Sequence, residues 1–341
     1  MSGFFAGYLF GWTFWLCVSL GCLGLLLLHH VLRAQWGRAV LPALEAGAKT
    51  LPLMMILFAP VLLGGMAELY PWFRPEDAGD MAQHRGAYLN MPFFAARFAA
   101  YFVVWIGLAV FLTASSRRHL SSAVAEQMRT NVSAPGLALF VLTVTFAVTD
   151  WVMSTEQQWS STIFGVWFIT GQALSAVALA ALWYAGRGGV APRVLRDLGN
   201  LMLAFTLMWA YISLSQYLII WSGNLPEEAS FYLRRSHEGW QALGLLLIIG
   251  QFLVPFLALL SGKTKRSPSG LALVALWTLL MRAVDVYWIV SPSVRPGGAL
   301  PSLFDLLAFG ALGGLWLAAF ARGLRSTRTA RAAIGGAPAH V

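Results

Sequence analysis

The chain has 341 residues, of which 58% are hydrophobic and only 11% charged, with a formal net charge of +9. A water-soluble domain carries about a quarter charged residues, so the composition excludes one, and the length-based expectation of two or three soluble domains falls with it. The only cysteines, Cys17 and Cys22, lie in the first apolar block, which excludes a disulfide framework or a Cys-rich metal site.

Apolar windows of about 20 residues predict membrane-spanning helices. In chain order they fall near 4–28, 50–69, 93–114, 134–153, 162–185, 199–221, 239–261, 269–289 and 302–321. Each is expected to be a helix, because a lipid-exposed backbone must satisfy its own hydrogen bonds. The expectation is therefore an all-α integral membrane protein with about nine transmembrane helices. These form one transmembrane domain over 1–322, followed by a basic tail at 323–341. Between the first two windows, residues 38–49 mix Leu41, Leu44 and Ala48 with charges and predict a short interfacial helix. The first block has no basic leader and no small-residue cleavage site, so no cleavable signal peptide is expected.

The basic residues set an orientation. Loops after the odd-numbered spans and the tail hold 16 of the 23 Lys and Arg against three acids, a net of +13, while the opposite side carries a net of −4. This alternation places the basic side in the cytoplasm and the N-terminus outside, in a multi-pass membrane protein. Arg322, Arg325, Arg328 and Arg331 in the tail are read as contacts to anionic headgroups rather than to nucleic acid.

Ionisable groups inside spans are costly and are functional candidates by default. Glu68 ends the second span, Arg97 begins the third and Asp150 lies near the outer end of the fourth. Gln216 is near the outer end of the sixth, Arg282 and Asp285 lie in the outer half of the eighth, and Asp305 begins the ninth. The cytoplasmic halves read as almost purely apolar, which predicts a polar site opening outward over a closed floor. Arg282 and Asp285 are spaced i, i+3 and can pair, either as a structural ion pair or as part of a site. Thr206, Trp209, Ser213 and Gln216 form one polar stripe, read either as glue between helices or as a cavity lining. Asp150, followed by Trp151, Ser154 and Glu156, marks a route from low dielectric to water. It is expected to hold a proton in transit, or else to cap the backbone of residues 152–153. Trp72, Trp151, Trp159, Trp221 and Trp240 are read as an aromatic belt. His29, His30 and His119 lie on the basic side, His84 and His237 opposite, and His340 in the tail. That distribution, with no C-x-x-C-H, argues against haem. No nucleotide or zinc motif is present.

Four outer segments, 69–77 with 88–97, 149–165, 215–240 and 282–288, are richer than connectors need, and three strings in them are specific together: Y-L-N-M-P-F-F-A-A-R at 88–97, D-W-V-M-S with W-S-S-T-I-F-G at 150–165, and W-S-G-N-L-P-E-E at 221–228. The last contains Trp221, Asn224, Pro226, Glu227 and Glu228. With L-Y-P-W-F-R-P-E-D at 69–77, R-A-V-D-V-Y-W at 282–288 and the L-x-x-L-H-H, Trp36-Gly37 and T-L-P elements, the sequence resembles a membrane subunit of bacterial alternative complex III, the quinol:electron-acceptor oxidoreductase. That family of subunits is similar to the polysulfide-reductase type, and the resemblance covers residues 4–322. It implies two four-helix bundles plus peripheral helices, with no cofactor bound by this chain. Expected partners are a sister quinone-binding membrane subunit, an iron–sulfur subunit and c-type cytochromes, the last two holding the clusters and haem. It further implies that Asp150, Glu68, Arg282 and Asp285 line a quinone pocket or proton path. One departure is that the family has ten spans, with one ahead of the helix that begins here near Phe4. Two functions compete: a quinol-binding or proton-conducting subunit of a respiratory complex, and a secondary transporter. The second needs paired broken helices at mid-membrane, and the spans read as unbroken.

Overall fold

A computed structural model describes residues 3–74, 86–118, 123–156, 159–295 and 297–335. Pro75, Glu76 and Asp77 of the first loop motif, His84, His119, His340 and the end of the basic tail lie outside the described residues. Within these residues the structure is helical, without strands, and nine segments are long and apolar enough to cross a membrane. They are labelled α1 (Phe4–Leu32), α2 (Gln35–Leu69), α3 (Met91–Ser115), α4 (Ala123–Thr155), α5 (Phe164–Ala185), α6 (Pro192–Gly223), α7 (Trp240–Leu260), α8 (Pro268–Val294) and α9 (Leu303–Ser326). The protein is a multi-pass integral membrane protein.

Helices α1–α4 form one bundle and α5–α8 a second; the two meet where α1 lies along α5 and α8. Helix α9 packs on the far side of α1 and α2 as the peripheral helix. In α1 and α5 72% of the apolar window is buried, against 28% in α6 and α7, so the first pair forms the centre and the second faces lipid. Small residues make that centre possible. A Cβ on Gly21 of α1 would meet the Gln172 carbonyl oxygen of α5, and one on Gly7 would meet the Asp305 backbone of α9 at 2.9 Å. Without a hydrophobic force between helices in lipid, such close approach is what lets dispersion hold them together.

Two expectations need correction. Residues 38–49 are not an interfacial helix. The helix Gln35–Ala48 is buried along most of its length against α1, α5 and α9, and it forms the first stretch of α2. Its cross-links to α1 run from Thr50–Ser19 (2.7 Å) through Trp12 to the Met54 carbonyl (2.8 Å) and Tyr8 to the Leu57 carbonyl (2.7 Å). Hydropathy alone missed this because Arg38 and Glu45 interrupt the window. Nor are all spans unbroken. Helix Leu51–Ile56 stops where Pro60 has no N–H to offer, and π-helical segments follow at Val61–Gly65 in α2 and Leu247–Leu253 in α7. The second precedes Pro255, which likewise denies the Gln251 carbonyl its donor. The helix of α9 continues to Gly335, into the first part of the basic tail.

Candidate functional site

The sequence-predicted charges fold into separate buried pairs. Arg97 of α3 grips Asp150 of α4 from two sides, Nε to Oδ2 at 2.8 Å and Nη2 to Oδ1 at 2.9 Å. Tyr101, one turn beyond Arg97, donates to Asp150 Oδ2 at 2.9 Å. The guanidinium also donates to the Tyr88 carbonyl (2.8 Å) and lies over the Tyr88 and Phe93 rings. Burial, with the Asp150 charge second, pushes the Tyr88 phenol up to about 12. Asp150 therefore does not cap residues 152–153. Its carboxylate points into the bundle, and Ser154 bonds only its carbonyl.

The second pair is the expected one: Arg282 Nη1 meets Asp285 Oδ2, both fully enclosed near the middle of α8. Trp209 of α6 donates to the same oxygen at 3.2 Å, and Arg282 Nε reaches Ser175 of α5 at 3.4 Å. A Cβ on Gly171 would strike the guanidinium, so the glycine makes its room. In the α6 stripe, Gln216 accepts from Ser161 at 2.7 Å, while Thr206 and Ser213 turn buried hydroxyls inward without partners among the described residues.

A third pair was missed. Glu156, in the loop after α4, binds Arg235 (3.3 Å), Arg234 (3.3 Å) and Ser293 (2.6 Å). Arg235 also donates to the carbonyls of Phe231, Trp288 and Ile289, and burial pushes its guanidinium down to about 10 against the pull of Glu156. This knot ties the loops above the second bundle to the end of α8. Asp305 likewise accepts from Arg295 and Ser302. Sequence set Glu156 at the outer end of the Asp150 route and Asp305 at the start of α9, but their arginines, Arg235 and Arg295, come from other stretches of the chain, Arg295 directly after α8.

Glu68 stays apart from all of these, accepting the Gly3 N–H at 3.1 Å. The four residues assigned to one site thus occupy three places: Glu68 at the end of α2, Asp150 in the first bundle, and Arg282 with Asp285 in the second. Nor are the basic halves apolar. Glu45, His29, His30, Arg129 and Ser133 are buried there, and Gln172, Gln251, Thr206 and Thr278 are buried deep within the second bundle.

The tryptophans divide. Trp221 is 67% exposed, as a belt residue should be. Trp151 is buried among Trp12, Phe58, Phe98, Phe102 and Trp105, Trp159 stacks on Phe231 at 4.3 Å, and Trp240 is buried against Tyr287, so these three are core. In the W-S-G-N-L-P-E-E motif, Asn224 takes the left-handed conformation (φ 46°) that ends α6 and Pro226 opens the helix Pro226–Arg234. Glu227 and Glu228 occupy its first turn, where the helix dipole favours acids.

Among the described residues no cluster of His, Cys, Asp and Glu could hold a metal ion. The geometry defines a two-bundle multi-pass membrane protein with buried ion pairs at several depths. Compared with protein-family models and with curated proteins, the sequence gives no match.

Proposed function

We propose that the chain is a membrane subunit of a bacterial respiratory quinol:electron-acceptor oxidoreductase of the alternative complex III type. In this reading it supports quinol oxidation beside a sister quinone-binding subunit and conducts protons toward the outer face. Its basic end lies in the cytoplasm. The observation that carries the proposal is the Arg282–Asp285 pair near mid-span, on the very string, R-A-V-D-V-Y-W, through which the resemblance runs. Oxidation of a quinol releases two protons, and an enclosed carboxylate is the group that can accept and pass them. Asp285 suits that task better than Asp150. Its Oδ1 has no hydrogen-bond partner among the described residues, whereas both oxygens of Asp150 are engaged by Arg97.

A supporting role fits better than direct quinol binding. Quinone carbonyls are commonly held by a His with a carboxylate, but Asp150 and Asp285 are bonded by Arg, Tyr and Trp. A transporter would need interruptions at corresponding positions of an internal repeat. Here the interrupted helices are the second of one bundle and the third of the other.

Purification of the affinity-tagged protein from native membranes tests the reading, with the visible spectrum recorded and partners identified by mass spectrometry. Co-purifying c-type cytochromes and an iron–sulfur protein are expected. A chain that purifies alone and drives solute uptake in vesicles would overturn it.

A further inference from the structure

The second bundle buries polar groups that its own fold does not satisfy. Thr206 and Ser213 on α6, Gln251 on α7 and Thr278 on α8 each have an enclosed side-chain N or O without a hydrogen-bond partner among the described residues, as does Asp285 Oδ1. Three of the four helices of the bundle contribute. The groups also fall together along the helices. Thr206 is one turn from Trp209, which donates to Asp285, and Thr278 is one turn from Arg282 on the same face of α8. Gln251 lies in the π-helical segment Leu247–Leu253. There Trp277 of α8 donates to the Gly250 carbonyl at 2.7 Å, and Gly250 packs on Met281.

An unpaired buried polar group costs about 1–3 kcal/mol, and the hydrocarbon around the bundle offers it no partner. Such groups on three helices of one bundle are the chemistry of a bound-water site, since each internal water takes two to four polar partners. We propose that the second bundle binds a cluster of water molecules deep in the membrane, between Asp285 and the π-helical segment of α7. These waters join the free Asp285 oxygen to Thr278, Thr206 and Gln251. They place exchangeable protons on the basic side of the Arg282–Asp285 pair, where the sequence predicts a closed apolar floor. The proposal stands apart from the respiratory reading, because the unpaired groups need partners whatever complex the chain joins.

X-ray radiolytic footprinting of the full chain in nanodiscs tests it, because radicals formed from bound water oxidise the side chains beside it. Met281, against the π-helical segment, is expected to be oxidised above the level of buried Met54 in α2, which serves as the dry control. Thr278→Val should reduce Met281 oxidation toward the Met54 level, while Thr278→Ser, which restores the hydroxyl, keeps it. Met281 oxidation equal to Met54 in the unaltered protein, or unchanged by Thr278→Val, would overturn the proposal. If Thr278→Val does not fold, the unaltered protein and Thr278→Ser still decide between the outcomes.

Discussion

Replacing Asp150 by Asn tests whether the first bundle is held by its buried ion pair. The carboxylate accepts three hydrogen bonds, two from Arg97 and one from Tyr101, at 2.8, 2.9 and 2.9 Å, and its side chain is 1% exposed against 10% for Arg97. Asn keeps one acceptor but presents an amide donor to a guanidinium that has only donors, and it leaves the positive charge unmatched. Breaking a buried pair by removing one partner costs about 3–5 kcal/mol. The Tyr88 carbonyl and the two aromatic faces over Arg97 survive, which places Asp150→Asn at the lower end of that range and Asp150→Ala at the upper end. The Arg97→Gln/Asp150→Asn double variant removes the stranded charge and should regain about 1–3 kcal/mol as coupling energy. Denaturant unfolding in mixed micelles, followed by tryptophan fluorescence, reads these differences, because Trp151 packs beside Tyr101 in the same core. A loss below about 1 kcal/mol, the level of an exposed surface pair, would refute the reasoning, as would equal losses in single and double variants.

The Arg282/Asp285 pair should behave likewise: Asp285→Asn alone lowers the yield of folded protein on size-exclusion chromatography, and adding Arg282→Gln restores part of it. For topology, membrane-impermeant maleimide applied to intact cells should label an engineered cysteine at exposed Ser222 and spare one at Gly188, and the reverse pattern would invert the orientation. Close approach of α1 and α5 predicts that Gly21→Ala, which drives a methyl into the Gln172 carbonyl, lowers the midpoint of thermal unfolding. Gly107→Ala, with open space around it, should not lower that midpoint.

The number and order of the spans were legible because hydropathy reports a residue's solvent, and for most of the chain that solvent is lipid. The start of α2 was not. Its first helix is buried by protein along most of its length, with Glu45 enclosed and Arg38 exposed beside Glu126, and a window tuned to lipid exposure breaks at both charges. The i, i+3 spacing revealed the Arg282–Asp285 pair because both partners share one helix. The Arg97–Asp150 and Arg235–Glu156 pairs join elements far apart in sequence, and no local spacing encodes them. Trp151 and Trp159 misled for a related reason: a tryptophan near a span end reads as a belt residue whether its ring faces headgroups or the bundle interior.

The deepest difference concerns the interior of the second bundle near mid-span. A lone Gln or Thr in an apolar run scores as a minor defect, so Thr206, Gln251 and Thr278 each vanish into the average of their own span. Their significance is collective and exists only once three helices bring them into one interior. The two interrupted spans show the same limit, since Pro60 and Pro255 announce a local disturbance but neither the π-helical segment beside it nor what that backbone meets. At Gly250 the structure answers with the indole of Trp277. That donor comes from the helix carrying Arg282 and Asp285, but from the face turned to α7, while the charge pair faces Ser175 of α5 and Trp209 of α6. A change at Pro255 that restores a regular helix should therefore release the Trp277 indole from the Gly250 carbonyl, a shift that tryptophan fluorescence reads.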